Sequence, residues 1–186
     1  MNSKALDLNH SINWLKAGNV LVHPTESIWG LGCDALNESS IDLIFKLKQR
    51  PLNKNLIMLV ESYFSIKDFV INLNPDQEKL LNEKWPGPYT FLFTYNENLP
   101  NHLMNDTGKI AIRVSNHLPI KNLLEAYKGF MVSTSANFSG QSNINCPNKI
   151  LETFANDDIA YYDESLGDQS KPSQIIDLET GIIIRE

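Results

Sequence analysis

The sequence predicts an α/β fold with α+β character, in which helices flank a twisted sheet of mixed parallel and antiparallel strands. Helical and strand-like segments alternate along most of the chain, and this alternation favours parallel pairs. Two short apolar segments, 175–178 and 182–185, flank a Glu-Thr-Gly turn and predict a closing antiparallel hairpin. Because the 186 residues contain no repeat and no low-complexity linker, we predict a single domain over residues 1–186.

Periodicity, N-cap residues and prolines locate the elements of the first half of the chain. The predicted elements are a helix from Leu8 to a stop at Gly18-Asn19, a strand over 20–23, a helix beginning at Ser39 or Ser40, a strand over 56–60, and a helix capped by Asn74 with Pro75 in its first turn. Residues 24–35 fit neither the helical nor the strand period, so no regular element is predicted there.

The second half continues the alternation after the prolines of Trp85-Pro86-Gly87-Pro88 end the third helix. The predicted elements are strands over 89–95 and 110–114, a helix over 119–127 ended by Gly129, a strand over 130–134, a helix over 147–154, and the two hairpin strands. A mixed sheet covered by helices accounts for this order.

Composition disfavours several classes of protein. The formal net charge of −6 does not supply the basic footprint that nucleic-acid binding requires, although a local basic face stays open. The longest apolar run, 56–60, is far shorter than the roughly 20 residues that span a bilayer. Two cysteines, and four histidines without ligand spacing, favour neither a disulfide framework nor a resident metal. We therefore expect a cytoplasmic protein.

Residues 24–35 are the first of four polar segments that packing does not explain. The stretch GLGCDA (30–35) matches a dinucleotide-binding pattern, but no helix is predicted to begin within it, which disfavours that interpretation. The alternative is a glycine turn that brings backbone close to another group, with the hydroxyls of Thr25 and Ser27 beside it. Glu26 is interpreted as a structural or solvated carboxylate.

Two further polar segments have the composition of an anion site. Lys48, Arg50 and Lys54 lie near the end of a predicted helix, where cations also stabilise the helix dipole without any ligand. The segment STSANFSG (133–140) places hydroxyls and an amide at the end of a strand, where it can wrap an anion or form a serine-rich turn. Both interpretations stay open for each segment.

The fourth feature is a pair of arginines associated with apolar strands. Arg113 lies inside one such strand and requires a carboxylate or phosphate partner, which an internal acidic residue would also supply. Arg185 closes the last strand, after the polar segment Lys171-Pro172-Ser173-Gln174. Lys171 and its polar neighbours are a candidate cover for a site.

Seven segments, taken in order, extend from about residue 20 to the end of the sequence. They are PTESIWGLGCDA (24–35), the K-x-R of Lys48 and Arg50 with Pro51, WPGPYT (85–90), IAIRVSNH (110–117), STSANFSG (133–140), PSQIID (172–177) and the final Ile184-Arg185. In this order they resemble the YrdC/TsaC family, the threonylcarbamoyl-AMP synthases, in its short form with the YrdC-like domain only.

The resemblance implies an activity, a fold and partners. The activity is that of a nucleotidyltransferase, an L-threonylcarbamoyladenylate synthase that uses L-threonine, bicarbonate and ATP, with Mg²⁺ expected on the nucleotide, and releases pyrophosphate. A partner transferase then moves the threonylcarbamoyl group to the tRNA adenosine next to the anticodon. The implied fold surrounds a positively lined cavity. Two alternatives stay open: a non-catalytic RNA-binding module in tRNA or ribosome maturation, and a carbamoyl-transfer domain of the kind fused into hydrogenase-maturation proteins.

The resemblance also implies roles for individual residues. Lys48 and Arg50 are the expected catalytic residues. The residues expected to bind ATP are Lys48, Arg50, Lys54, Ser135, Asn137 and Arg185, and those expected to bind the threonine moiety are Thr25, Ser27, Arg113, Ser133 and Ser173. No metal ligand is expected from the chain. The sequence departs from the family's usual residues at Ser27, Asn55, Ser115 and Gln174, and none of these departures removes a charge.

Overall fold

A mixed β-sheet organises the protein. The structure, a computed structural model, describes residues 4–49, 56–169 and 171–186. The strands are β1 Ala5–Leu6, β2 Val20–His23, β3 Gly30–Asp34, β4 Ile57–Leu59, β5 Tyr89–Thr94, β6 Lys109–Arg113, β7 Met131–Ser135, β8 Ile159–Tyr162, β9 Gln174–Asp177 and β10 Ile183–Arg185. The helices are α1 Leu8–Lys16, α2 Glu38–Lys48, α3 Pro75–Lys84, α4 Leu118–Tyr127 and α5 Pro147–Phe154, with 3₁₀ helices at Tyr63–Phe69 and Asn101–Leu103.

Within the described ranges, the sheet runs in the order β1-β8-β2-β3-β7-β4-β6-β5-β9-β10. The pairs β1–β8, β2–β8, β4–β6 and β5–β9 are parallel, whereas β2–β3, β3–β7, β4–β7, β5–β6 and β9–β10 are antiparallel. The predicted mixed sheet and its closing hairpin are therefore confirmed.

Helices pack on both faces of the sheet because strand residues alternate between the faces. On one face, Met58 of β4 belongs to a cluster that includes buried residues of α2, α3 and α5. On the other face, Leu59 packs in a second cluster with residues of α1 and α4. Ile57 packs against this second cluster and also lines the cavity described below. The cavity therefore occupies the part of the second face that α1 and α4 leave open.

Local capping signals predict two helix starts, one correctly and one with an error. Asn74 and Gln77 form a capping box at the start of α3, with Pro75 in the first turn, as predicted. The cap of α2 is Asn37, whose side-chain oxygen accepts a hydrogen bond from the backbone N–H of Ser40. Ser40 is buried inside the helix, where its hydroxyl donates to the carbonyl of Gly18, so the expected cap at Ser39 or Ser40 is wrong.

The segment predicted to have no regular structure contains β3. Its residues Gly30, Leu31 and Gly32 pair with β2 on one side and β7 on the other. Two glycines remove the side chains that would have shown a strand period, which explains why periodicity misses this strand. No helix among the described ranges has both the length and the apolar character needed to cross a membrane.

Candidate active site

A cavity of about 470 Å³ lies on the open part of the second sheet face. Apolar side chains from five strands contribute to its lining: Ile57, Leu92, Ala111, Ile175 and Ile184. Seven of the residues predicted to bind substrate also line it: Thr25, Ser27, Arg113, Ser133, Ser135, Ser173 and Arg185. Residues that are up to 160 positions apart in the chain thus share one cavity, and the roles expected for them stay predictions.

The loop between β2 and β3 forms one wall of the cavity and is held by Thr25. The Thr25 hydroxyl donates to the carbonyl of Ile28 at 2.7 Å and accepts from the backbone N–H groups of Ser27 and Ile28. These three bonds use the one donor and both acceptor positions of a hydroxyl, so Thr25 shapes the loop. The Ser27 hydroxyl, by contrast, makes no hydrogen bond to the described residues and faces the same cavity.

Arg113 reaches from β6 to this loop and forms a buried ion pair with Glu26. Arg113 Nη2 lies 2.5 Å from Glu26 Oε2, and Glu26 Oε1 accepts from the Ser115 hydroxyl at 2.7 Å. Burial by itself would raise the pKa of Glu26, but the Arg113 charge and the Ser115 hydroxyl outweigh it, so this pKa is lowered. Burial lowers the pKa of Arg113 despite the neighbouring carboxylate. Glu26 is thus a structural carboxylate.

Arg185 also lines the cavity and is held by Ser173. Its Nη2 donates to the Ser173 carbonyl at 2.6 Å and to the Ser173 hydroxyl at 3.2 Å. That hydroxyl also shares a hydrogen bond with Thr90 at 2.8 Å. Burial, and secondarily the Arg113 charge, lower the pKa of Arg185. No described acidic residue pairs with Arg185, so its guanidinium offers an anion an unbalanced positive charge.

Lys48 lies beneath the segment that follows β7. Its side chain is buried, with 1% of the residue exposed. Its ammonium donates to the carbonyls of Ser135 and Asn137 and to the Asn137 side-chain oxygen. The Ser135 hydroxyl donates to that same side-chain oxygen at 2.5 Å, and the Asn137 amide donates to the Gln141 carbonyl. Lys48 and Asn137 therefore fix the shape of the segment that carries Ser135. Ser135 lines the cavity, whereas Lys48 and Asn137 are not among its described lining residues.

The predicted site residues Arg50 and Lys54 lie outside the described residues. Gly167 and Gln169, which precede the candidate cover at Lys171, pack on the loop that follows β2. The backbone N–H groups of Gly167 and Gln169 donate to the carbonyls of Thr25 and Glu26 at 2.9 and 2.8 Å. Pro172 and Ser173, a few residues further along the chain, line the cavity.

His23 is a buried residue of the site for which the sequence analysis gives no role. Its Nε2 lies 3.0 Å from the Ser133 hydroxyl, and its Nδ1 lies 3.2 Å from the Pro24 carbonyl. Burial lowers the pKa of His23 to about 4, so the imidazole is neutral at physiological pH. The sequence pattern that could have identified it is a histidine at the end of one strand and a Gly-x-Gly sequence in the strand that follows. Such glycines leave room for the imidazole to pass over the neighbouring strand.

The arrangement suits the binding of anions. Two guanidinium groups and several hydroxyls face an apolar floor, and such a set positions and neutralises phosphate or carboxylate groups. Among the described residues, no group of three or more His, Cys, Asp or Glu side chains is placed to hold a metal ion.

Comparison with known proteins identifies similar sequences over most of the chain. The family model Sua5_yciO_yrdC, described as "Telomere recombination", matches residues 13–186. A curated relative named threonylcarbamoyl-AMP synthase, from Saccharophagus degradans, is 35% identical over 178 residues, which cover 96% of this chain and 93% of the relative.

Solved structures share the same fold. Sua5 from P. abyssi, determined in complex with L-threonine, matches with a TM-score of 0.84 and 26% identity, covering 92% of this chain. This chain spans 51% of that Sua5 chain. YciO from E. coli matches with a TM-score of 0.83 and 25% identity, covering 96% of this chain and 88% of YciO.

Proposed function

The chain belongs to the Sua5/YciO/YrdC family, and from this premise we propose that it is a threonylcarbamoyl-AMP synthase acting on L-threonine, bicarbonate and ATP. The observation that carries the proposal is the shared cavity, in which two arginines and a set of hydroxyls surround an apolar floor. A nucleotide triphosphate requires cations, and an amino acid requires polar groups for its amine, carboxylate and side chain. The cavity provides both kinds of group.

The reaction requires little covalent participation by the protein. Bicarbonate loses hydroxide to supply carbon dioxide, and the amine of threonine adds to its carbon to form a carbamate. The proton that the amine loses combines with the hydroxide as water, and a carbamate oxygen then attacks the α-phosphorus of ATP. The bond between the α-phosphorus and the bridging oxygen breaks, and pyrophosphate leaves with its Mg²⁺. Positioning and charge neutralisation supply most of the rate enhancement in such transfers. This agrees with a cavity in which no described residue is an activated nucleophile.

The two arginines differ in what they offer a substrate. Glu26 already balances the charge of Arg113, so a carboxylate that binds Arg113 meets a net neutral pair with remaining N–H donors. Arg185 has no acidic partner among the described side chains, so it supplies an unbalanced positive charge. We assign the amino-acid carboxylate to Arg113 and the nucleotide phosphates to the side of Arg185.

The remaining assignments follow the same division. On the resemblance we assign Ser27, Ser133 and Ser173 to the amino acid and Ser135 to the nucleotide. Because Ser173 also accepts hydrogen bonds from Arg185, the two parts of the ligand would meet at this residue. Lys48 contributes through the segment it fixes, which differs from the expectation of direct phosphate contact, because its ammonium binds backbone carbonyls. Asn137 acts with it, and Arg50 and Lys54 stay assigned to the phosphates on the resemblance alone.

The product is a mixed anhydride of a carbamate and AMP, which hydrolyses readily. We propose that a partner transferase takes it up and moves the threonylcarbamoyl group to a tRNA adenosine next to the anticodon. The cavity also needs to exclude water while the carbamate exists. The hydrogen bonds from Gly167 and Gln169 to the loop carbonyls support our proposal that this segment covers the cavity.

The proposal is tested with purified protein, ATP, Mg²⁺, bicarbonate and L-threonine. Pyrophosphate is expected only when L-threonine is present, and threonylcarbamoyl-AMP is expected in equal amount. Pyrophosphate release without threonine, or none under any condition, contradicts the proposal. ATP affinity measured with and without L-threonine should differ, because adjacent ligands in one cavity are thermodynamically coupled.

A further inference from the structure

Two glycines open a passage through which His23 reaches Ser133. His23 lies on β2 and Ser133 on β7, and β3 separates the two strands. Strands two positions apart lie roughly 10 Å from each other, so the imidazole has to cross the intervening strand. It crosses at Gly30 and Gly32, where β3 carries no side chains.

The fit of the imidazole in this passage is close. A Cβ atom on Gly30 would lie 2.6 Å from both Cε1 and Nε2 of His23, and one on Gly32 would lie 3.0 Å from Cδ2. Contacts of 2.6 Å do not occur between unbonded carbon atoms, so any side chain at Gly30 would displace the imidazole. The Gly-x-Gly pair therefore accommodates His23, which is the group that the sequence analysis left unidentified.

The partners of the imidazole fix its tautomer. The Pro24 carbonyl only accepts hydrogen bonds, so Nδ1 must carry the proton that it receives. In the neutral ring Nε2 is then an acceptor, and the Ser133 hydroxyl must donate its only proton to it. Neutrality itself follows from complete burial, which lowers the pKa of His23. Ser133 is left with lone pairs alone for the cavity.

We propose that His23 is a positioning residue that makes Ser133 an obligate hydrogen-bond acceptor, and that this acceptor binds the amino or hydroxyl donor of the amino-acid substrate. A carboxylate or a phosphate oxygen has no proton to give, so neither would be stabilised at Ser133. The assignment rests on the proposed function, because it takes an amino acid as the ligand. It also separates Ser133 from Ser27, whose hydroxyl makes no hydrogen bond to the described residues and can donate.

The same pair of residues has the outline of a nucleophile and its base, but its surroundings do not support that chemistry. A base of this kind is usually oriented by a carboxylate, which stabilises the imidazolium that forms. Here a neutral carbonyl lies behind His23, and the pKa of about 4 makes the imidazole a weak base at neutral pH. His23 thus acts through the direction of one hydrogen bond.

The tautomer is tested on the unmodified protein by ¹⁵N NMR of the histidine side chains. We expect His23 to show a protonated Nδ1 and an unprotonated Nε2 at pH 7.5, with Nε2 shifting when L-threonine binds. A proton on Nε2, or a charged ring, overturns the proposal. This measurement needs no variant and does not depend on enzymatic turnover.

The action through Ser133 is tested by a double-mutant cycle on L-threonine affinity. Ser133→Ala and His23→Met should each weaken binding about tenfold, while the double variant is no weaker than Ser133→Ala, because both changes remove one interaction. ATP affinity should stay within about twofold of the wild-type value. His102→Met is the matched control, since His102 binds the Ala35 carbonyl away from the cavity and should change neither affinity. Additive effects in the cycle, or unchanged threonine affinity in His23→Met, overturn the proposal.

Binding of L-threonine and of L-valine distinguishes the substrate hydroxyl from the substrate amine as the donor to Ser133. Wild-type binding and turnover distinguish a failure of this proposal from a failure of the proposed function. If the hydroxyl binds Ser133, His23→Met reduces the preference for L-threonine over L-valine; if the amine binds, it weakens L-threonine and L-valine equally. Either outcome supports an acceptor role. A wild-type protein that binds no amino acid refutes both the proposed function and this ligand. A wild-type protein with threonine-dependent turnover but a protonated Nε2 refutes the acceptor role alone.

Discussion

Arg113 and Glu26 form an ion pair, with 2.5 Å between Nη2 and Oε2, that joins a central strand to the loop above the cavity. Both side chains are less than 10% exposed. The Ser115 hydroxyl holds the second carboxylate oxygen, so the loop is fixed at one charged residue by two partners. A site that must admit a charged substrate thus keeps one of its own arginines neutralised.

Glu26→Gln should destabilise the protein by about 3 kcal/mol, because it leaves a buried guanidinium without its counter-charge. The amide has nearly the same size as the carboxylate, so the decrease in the free energy of unfolding measures the effect of removing the negative charge. Urea denaturation at pH 7.5 measures it. Glu61→Gln is the matched control, since Glu61 pairs with Lys128 at the surface and should cost at most about 1 kcal/mol. Equal losses for the two variants would contradict the buried role of Glu26.

The free energy of unfolding should fall as the pH is lowered from 7 to 5, and His23 should cause a measurable part of the fall. Its pKa is lowered from 6.5 to about 4 in the folded protein. Between pH 6.5 and about pH 4 the unfolded chain binds a proton that the folded chain does not. The contribution of His23 to the free energy of unfolding is therefore fully present above pH 6.5 and is lost as the pH falls toward 4. Linkage gives a loss of about 2 kcal/mol at pH 5.

The measurement compares denaturant unfolding of the wild type and His23→Met at pH 7.5 and pH 5. Because every other titrating group is common to both proteins, the difference between their pH dependences belongs to His23. A wild-type curve parallel to that of the variant would show that the imidazole is not held neutral.

Local signals predict the helices well because caps and prolines act within a few residues. Asn74 and Pro75 begin α3 as predicted, and α5 runs over Pro147–Phe154 as predicted. The strand β3 escapes prediction, since Gly30 and Gly32 leave it no hydrophobic period. β3 forms because it pairs with β2 and β7, and the residues of these strands are too distant in sequence for a local pattern to include both.

In the site, too, the need for a partner can be predicted from nearby residues, but the identity of the partner depends on residues distant in sequence. That Arg113 needs an acidic or phosphate partner follows from its apolar strand, but the choice of Glu26 depends on how a loop folds over the sheet. His23 and Ser133 are 110 residues apart, and only the strand order places them together. The burial of Lys48 beneath the Ser135 segment is of the same kind.

Lys48→Met should destabilise the protein by about 3 kcal/mol, because the buried oxygens that accept from the ammonium lose their donor. The segment carrying Ser135 then loses its fixed geometry, and turnover should fall about tenfold or more. Lys46→Met is the matched control, since Lys46 is exposed in the same last turn of α2, and its stability should change by at most about 0.5 kcal/mol. Urea denaturation and pyrophosphate release measure the two effects. A stable but inactive Lys48→Met protein would instead favour direct contact with the phosphates.

Gly167→Ala should loosen the cover beside the cavity. A Cβ atom there would lie 2.7 Å from the Cα and carbonyl oxygen of Glu26, and backbone atoms cannot move aside as a flexible side chain can. The two hydrogen bonds from Gly167 and Gln169 to the loop should weaken, so we expect a stability loss of about 1–3 kcal/mol and faster hydrogen exchange at the Gln169 amide.

The control for this change is Gly108→Ala, which separates the steric effect from the backbone strain of replacing a glycine. Gly108 has φ +68°, and nothing lies within 4 Å of its added Cβ, so only the strain of about 1 kcal/mol is expected. L-threonine affinity should fall in Gly167→Ala and stay unchanged in Gly108→Ala, because only the first glycine lies against the loop that carries Thr25 and Glu26. Equal affinities in both variants would show that the contact at Gly167 stabilises the fold without affecting the site.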